Sequence, residues 1–324
     1  MHFHTQIQDQ RQTMDARVAD MIGKLNLDSS SAYYSNLLVT ETISQLFRYM
    51  YPETKWANGE LIDFDFSANP GAAAVAWNMI SMTGDPGDGI VAADSDQIPQ
   101  ADIALEPQLN TTHEVPVVVQ WSDLDIDRAA MQGVYSMSVE KGAAAKEYWS
   151  RKINALIVNG STTSNFVGVA NMPGRKNKAA AGAFSGLTSD QILTEFQTAW
   201  DLIFGDSLAV LTPNTVVMPT TISGKMRAPT NALAVRSTLD YLREQYPEIT
   251  SWVFDPAMNT AGTGGSAAVM IYRKDPLYLR ACMPLMLQPK SIQEHNMKYR
   301  MIFRSRFGGI ICPQPGAICT IHGV

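Results

Sequence analysis

The sequence has little charge, few cysteines and no long apolar run. Charged residues make up 17% of the 324 positions, against about 25% in an average soluble protein. A low charge suits a subunit whose surface is covered by neighbouring copies. The chain carries 25 Lys and Arg against 31 Asp and Glu, which gives a formal net charge of −6. This balance excludes a protein whose whole surface is built to grip nucleic acid, although it leaves room for a local basic strip.

The few cysteines and the short apolar stretches exclude further classes. Cys282, Cys312 and Cys319 show no CxxC spacing, so we interpret them as reduced thiols in the core. The longest apolar stretches, residues 72–77 and 115–119, are far shorter than the roughly 20 residues that cross a bilayer. The first residues lack the basic and apolar regions of a signal peptide, so we expect a cytoplasmic product without a membrane partner.

Motifs that would support catalysis or metal binding are also missing. The run 123–127 begins like an EF-hand loop, but Arg128 and Val134 occupy the positions that need glycine and glutamate. None of the five histidines forms an HExxH zinc motif, and there is no GxSxG elbow of a serine hydrolase. The glycine-rich run 262–266 lacks the lysine of a phosphate-binding loop. We therefore predict no catalytic residue, no metal site and no cofactor.

The spacing of apolar residues predicts a mixed chain of helices and strands. Residues 1–50 are typical of a polar, partly helical arm, and residues 70–112 of two long β limbs joined by a turn at 84–89. These limbs hold too few apolar residues for a core of their own. A long helix is predicted over 136–158, with Trp149, Ile153 and Leu156 on one face. Further strands are expected at 74–82, 115–121, 215–218, 252–254, 269–272, 277–287, 297–307 and 317–321, and further helices from 123 to about 132, from 188 or 189, and over 238–246.

Four basic residues alternate with apolar ones in the strand predicted over 297–307. Successive side chains of a strand point to opposite faces, so the four charges lie along one line. We call this set the basic strip: Lys298, Arg300, Arg304 and Arg306. The other face is expected to hold Met297, Tyr299, Met301 and Phe303.

Like charges in a line repel each other unless acidic groups oppose them. Four aspartates in the predicted β limbs are candidates for that role: Asp85, Asp88, Asp94 and Asp96. The basic strip is then either a solvated face, or a surface that receives acidic groups of a neighbouring subunit or packaged phosphate. We expect the basic strip of one subunit to meet the four aspartates of its neighbour across a subunit interface.

Several short segments after residue 50 occur in a definite order. They are 96–102, 115–121, 123–124, 143–146, 157–160 and 168–173, followed near the end by 272–276, 283–284 and 306–309. In this order they resemble the major capsid proteins of tailed bacteriophages, which share the Hong Kong 97-type fold. The resemblance covers roughly residues 50–324.

The resemblance implies an α+β fold with named parts. Residues 1–50 would be the N-terminal arm, and 70–112 the extended E-loop. The peripheral (P) domain would comprise 51–69 and 113–174, with the spine helix at 136–158, and return strands at 277–307. The axial (A) domain would comprise 175–276 and 308–324.

The function implied by the resemblance is self-assembly into an icosahedral shell around the double-stranded DNA of a tailed phage or prophage. The implied partners are other copies in hexamers and pentamers, contacted through the E-loop and N-arm, with scaffold, portal or decoration proteins and DNA held without sequence specificity. The protein would be made in the bacterial cytoplasm and end in the virion. Two alternatives stay open: an encapsulin-like nanocompartment shell around a cargo enzyme, and a soluble α/β enzyme.

Overall fold

The computed structural model describes residues 51–83, 102–131, 137–230 and 236–324. The helices predicted within 1–50 and the turn predicted at 84–89 lie outside the described residues. The strands are β1 (Asp63–Asp65), β2 (Ala74–Thr83), β3 (Asp102–Thr111), β4 (His113–Glu114), β5 (Val117–Ser122), β6 (Gly160–Ser161), β7 (Phe166–Val167), β8 (Lys176–Ala179), β9 (Thr215–Met218), β10 (Ser251–Phe254), β11 (Ala268–Tyr272), β12 (Arg280–Cys282), β13 (Leu285–Pro289), β14 (Gln293–His295), β15 (Lys298–Phe307), β16 (Ile310–Ile311) and β17 (Ile318–His322). The helices are α1 (Asp123–Met131), α2 (Met137–Asn159), α3 (Ser189–Phe204), α4 (Ser223–Arg227) and α5 (Thr238–Gln245). This content confirms the predicted α+β class, and a helix able to cross a membrane is absent from the described residues.

One five-stranded sheet is built around the long strand β15. Strands β13 and β14 pair antiparallel along one edge of β15, and β4 and β5 pair antiparallel along the other. The side chains of β15 alternate, so that Phe303, Ser305 and Phe307 are buried. This buried face belongs to the same core as helix α2.

Helix α2 packs on this sheet through the predicted face. Trp149, Ile153 and Leu156 are all buried in the core shared with β15. The indole Nε1 of Trp149 donates a hydrogen bond of 2.7 Å to Ser305 Oγ, and that hydroxyl donates in turn to the carbonyl oxygen of Val115 at 2.7 Å. The predicted orientation of the helix is therefore confirmed, and a buried polar chain fixes it against two segments of the sheet.

Helix α2 ends at Asn159, one residue beyond the predicted range. Gly160 follows Asn159 with a φ of +69°, which is the left-handed region that glycine adopts without steric cost. A Cβ at Gly160 would lie 2.3 Å from the carbonyl oxygen of Phe166. Only glycine therefore fits between the end of α2 and the short strand β7.

A second five-stranded sheet has the order β10–β9–β11–β17–β8. Strands β9 and β11 are buried on both faces, so they are continuous apolar runs without alternation. One face contributes Val216 and Ile271 to a core with α3 and α5, and the other contributes Val217 and Met270 to the core of α2. This sheet therefore lies between the two cores and belongs to both.

Helix α3 begins at Ser189 with Thr188 as its N-cap, in agreement with the predicted start at 188 or 189. The Oγ1 of Thr188 accepts from the backbone N–H of Gln191 at 3.4 Å, and the side chain of Gln191 accepts from the backbone N–H of Thr188 at 2.8 Å. This reciprocal pair is a capping box, which satisfies two N–H groups that the first helical turn leaves without partners.

Two strand predictions near the end of the chain need correction. The strand expected over 277–287 is two strands, β12 and β13, which join different sheets on either side of Pro284. Proline has no N–H to donate to a ladder, so the chain changes sheets there. Met297, expected on the apolar face of β15, is instead 72% exposed in a two-residue turn, where Asn296 and Met297 have φ of +49° and +59°. A turn with two positive φ values suits the twist of the β14–β15 hairpin.

The segment before β1 is anchored by buried polar groups. Tyr272 is fully buried and donates from its hydroxyl to the carbonyl oxygen of Leu61 at 2.6 Å. Trp56 stacks on the Tyr272 ring with centroids 5.9 Å apart. Asp255 is fully buried nearby, its Oδ1 accepts from the N–H of Ala257 at 2.8 Å, and burial raises the pKa of its carboxyl group.

Replacing Trp149 by alanine should lower the free energy of unfolding by about 3–5 kcal/mol, because a buried aromatic ring is lost from a close-packed core. Trp149→Phe keeps most of the ring and should cost about 1 kcal/mol for the hydrogen bond to Ser305. Urea unfolding of the unassembled subunit measures both. Tyr148→Ala is the matched control, since Tyr148 is 56% exposed on the same helix. A loss from Tyr148→Ala equal to that from Trp149→Ala would contradict the assigned face.

Asp255 should make the free energy of unfolding depend on pH. Its folded-state pKa lies above the unfolded value of about 4, so the folded subunit binds this proton more tightly. Relative to Asp255→Asn, the wild-type free energy of unfolding should fall as the pH rises from about 4 through the folded-state pKa. Urea unfolding at a series of pH values measures the difference in slope. Parallel curves for the two proteins would show that the carboxyl group titrates alike in both states.

Candidate subunit interface

Strands β2 and β3 form a hairpin that pairs with no other described strand. Ten residues of each strand are in register, from Ala74 opposite Thr111 to Thr83 opposite Asp102. Residues directly opposite each other share a face, so one face of the hairpin is aliphatic. We call it the apolar hairpin face, and its members are 60–67% exposed: Ile80, Ile103, Leu105 and Leu109.

The opposite face of the hairpin is turned towards its own subunit. Trp77 and Met79 are half-buried and line a cleft of about 520 Å³ together with Leu277, Tyr278 and Pro313. That face is therefore partly covered at Trp77 and Met79, whereas Glu106 and Gln108 on it are exposed, and the apolar hairpin face lies in solvent. Soluble monomers seldom expose a contiguous aliphatic patch, so the apolar hairpin face is a candidate surface for protein contact.

The base of the hairpin is held by hydrogen bonds to the rest of the subunit. The side-chain amide of Asn110 donates to the carbonyl oxygen of Ile310 at 2.9 Å. The guanidinium of Arg306 donates to Thr112 Oγ1 at 3.1 Å and also to the carbonyl oxygen of Pro70. Arg306 therefore bridges the two chain segments that enter and leave the hairpin.

The alternation predicted for the basic strip is present in β15. Lys298 and Arg300 are exposed and Arg304 and Arg306 are half-buried, whereas the residues that alternate with the last two are buried: Phe303, Ser305 and Phe307. The strip thus lies on the outer face of the sheet whose inner face packs on α2.

The four basic residues have different surroundings. Arg304 Nε donates to Glu114 Oε1 at 3.0 Å within the same subunit, and Arg306 holds the hairpin base. Lys298 and Arg300 make no ion pair with the described residues. The four aspartates considered as partners, Asp85, Asp88, Asp94 and Asp96, lie outside the described residues.

Sequence reasoning missed Glu114 as the partner of Arg304. The two residues are 190 positions apart, and they meet because β4 pairs with β15 in the register that sets Glu114 opposite Arg306. The alternation of a single strand carries no information on that register. The only hint in the sequence was that the acidic residue Glu114 directly precedes the strand predicted at 115–121.

The described residues hold buried thiols and carboxyl groups but no catalytic arrangement. The three cysteines are free and buried, as predicted. Burial raises the pKa of Cys282 and Cys319 to about 11 and that of Cys312 to about 12, so the nucleophilic thiolate is scarce at neutral pH. Within the described part of the chain, no group of three or more His, Cys, Asp or Glu residues could hold a metal ion.

Comparisons with known proteins agree with this geometry. A family model described as major capsid protein matches residues 87–324, which is most of the chain. A comparison with curated proteins finds no match.

Solved structures from phages and from a virus-like particle share the fold. The capsid of Myoviridae phage XM1 is similar over 90% of this chain and 98% of that chain, with a TM-score of 0.78 and 17% identity. A structure from Mycobacterium phage Bobi covers 91% and 99%, with a TM-score of 0.64 and 12% identity. A virus-like particle from Pyrococcus furiosus covers 81% and 91%, with a TM-score of 0.56 and 11% identity.

The predicted Hong Kong 97-type fold is confirmed by these matches. The family consists of structural capsid proteins, so the chain is not an enzyme, and the nanocompartment alternative is not favoured. A chain with this fold, an uncovered aliphatic hairpin face and a match to the family model over most of its length is a shell component of a virion. It belongs to the major capsid protein family.

Proposed function

We propose that the chain builds an icosahedral shell by laying the apolar hairpin face on a neighbouring copy, in hexamers and pentamers. In this proposal residues 70–112 are the E-loop and 1–50 the N-arm. The P domain is 51–69, 113–174 and 277–307, and the A domain is 175–276 and 308–324. The two five-stranded sheets support this division, because their strands fall within those two sets of ranges. Strand β16 crosses the division, since it pairs with β12.

The exposed aliphatic face of the hairpin is the observation that carries the proposal. About a third of each side chain is already covered, so complete burial contributes on the order of 1–2 kcal/mol for each residue. Four such residues in every subunit offset part of the entropy lost on association. The contact is repeated in every copy, so even a modest contribution is multiplied across a shell.

The basic strip has two roles in this proposal. Arg304 and Arg306 act inside the subunit, because they hold Glu114 and the hairpin base. Lys298 and Arg300 are left for acidic groups of a neighbour, and Asp85, Asp88, Asp94 and Asp96 are the candidates. Pairs of this kind set the register and rate of encounter more than the affinity.

The proposed contents of the shell are double-stranded DNA held without sequence specificity. A net charge of −6 is compatible with DNA that the shell encloses without holding it on a broad basic surface. Scaffold, portal or decoration proteins are further proposed partners. We also propose that the protein is synthesised in the bacterial cytoplasm. Nuclease-protected DNA in purified particles would support this cargo, and particles filled with a second protein would contradict it.

Charging the apolar hairpin face should give folded subunits that do not assemble. Leu105→Asp with Leu109→Asp introduces two carboxylates that the contact would have to bury without partners. Electron microscopy and sedimentation of the purified protein measure shell formation. Gln108→Asp is the matched control, because it adds a carboxylate to the same strand on the other face. Normal shells from the double variant would refute the hairpin contact.

Reversing the free end of the basic strip should slow assembly. Lys298→Glu with Arg300→Glu replaces attraction by repulsion, while Arg304 and Arg306 stay unchanged because they act inside the subunit. High salt should slow wild-type assembly in the same way, since the Debye length falls to about 3 Å at 1 M. Light scattering during assembly measures both rates. Unchanged rates in the double variant would identify Lys298 and Arg300 as a solvated face.

A further inference from the structure

The second five-stranded sheet has an apolar turn beside one edge. The turn at 206–210 follows α3, and in it Leu208 is 88% and Val210 66% exposed. Asp206 Oδ2 lies 2.8 Å from Nζ of Lys176, the first residue of the edge strand β8. The 206–210 turn therefore projects next to the β8 edge of the sheet.

The backbone of the 206–210 turn is unusual for its residue types. Leu208 and Ala209 have φ of +51° and +67°, a region that residues with a Cβ seldom occupy. The conformation is held by hydrogen bonds from the N–H of Leu208 to the carbonyl oxygen of Gly205 at 3.0 Å and from that of Ala209 to Phe204 at 2.8 Å. A strained and well-bonded turn that lifts two aliphatic side chains into solvent contributes nothing to the core of its own subunit. Such strain is typical of functional positions.

A hollow lies at the opposite edge of the same sheet. It has a volume of about 710 Å³ and is walled by half-buried Trp252 and Phe254 of β10 together with Leu239 and Pro229. The exposed side chains of Arg227 and Arg243 also line it, and the Arg227 guanidinium lies 5.7 Å from the centre of the Phe254 ring. Asp240 is also in its wall, so the hollow is aromatic and its two arginines outnumber its one carboxylate.

The turn and the hollow are complementary in shape and charge. The turn is convex and aliphatic; exposed Asp201 forms its acidic flank, whereas Asp206 is already paired with Lys176. The hollow is concave and aromatic, and it carries two arginines. The edge strands are four strand spacings apart, or about 19 Å at 4.8 Å each. A contact between different surfaces at opposite sides of one molecule repeats from copy to copy and can close a ring.

We propose that the 206–210 turn of one copy inserts into the β10 hollow of the next copy around a capsomer axis. Leu208 packs against Trp252 and Phe254, and Arg243 faces the acidic flank of the turn. This inference rests on the proposed shell function and adds to it the contact that joins neighbours within one capsomer. A second copy is the occupant because the same chain carries both halves, whereas another ligand would leave the exposed Leu208 unexplained.

Crosslinking in assembled shells tests the contact. The full chain is given two new thiols, Leu208→Cys and Arg243→Cys, and assembled shells are treated with a short bismaleimide. The native cysteines are buried, so they contribute little background. A denaturing gel should show a ladder of linked chains that ends at the number of copies in one capsomer. Each single-cysteine variant, and the pair Leu124→Cys with Arg243→Cys, should give no ladder.

The possible results separate the contact from the shell function. Shells that form normally and yield no ladder overturn the contact and leave the shell function standing. An unmodified chain that forms no shells refutes the shell function itself.

Two single variants test the contact without crosslinking. Leu208→Asp and Arg243→Glu should each keep the thermal midpoint of the unassembled subunit and lower the rate of shell formation by about tenfold or more. Leu124→Asp is the matched control, since Leu124 is also an exposed leucine, at 55%, and lies outside the second sheet. Normal assembly of either test variant, or an equal loss from Leu124→Asp, would overturn the contact.

Discussion

The packing of helix α2 on the inner face of β15 supports both surfaces that are proposed to contact neighbouring copies. Trp149 and Ser305 join the helix to the strand by a buried hydrogen bond, and the ladder of β15 with β5 extends that support across the sheet. The outer face of the same strand carries the basic strip, and its end holds the hairpin base through Arg306. The position of the apolar hairpin face therefore depends on a core that is far from it in sequence.

The four basic residues on the outer face of β15 have two different roles. Arg304 and Arg306 are half-buried and bonded within the subunit, so they stabilise the folded chain before any partner arrives. Lys298 and Arg300 lie on the same face but beyond the reach of Glu114, and they remain exposed. The boundary between the two pairs is set by where β4 ends along β15.

Much of the fold follows from local patterns in the sequence. The two hairpin limbs, helix α2 and the Thr188 cap depend on side-chain periodicity and on hydrogen bonds between residues close in the chain, so they were predictable. The pairing of Arg304 with Glu114 depends on strand register across 190 positions, and the left-handed turn at Leu208 depends on a backbone that its residue types disfavour. Neither leaves a local pattern. The sequence therefore predicted the strands that form the candidate interface. The residues that bind each other within the subunit became clear only from the tertiary structure.

Among the described strands, β2 and β3 pair only with each other, and this has a consequence for evolution. The apolar hairpin face adds little to the core of its own subunit, so most substitutions there leave the stability of a lone chain almost unchanged. In the proposed shell, natural selection would act on this surface through the fit between copies, whereas it acts on the cores around Trp149 and Tyr272 through folding. In that shell, substitutions in the hairpin change the fit between copies without first costing the stability of the folded subunit.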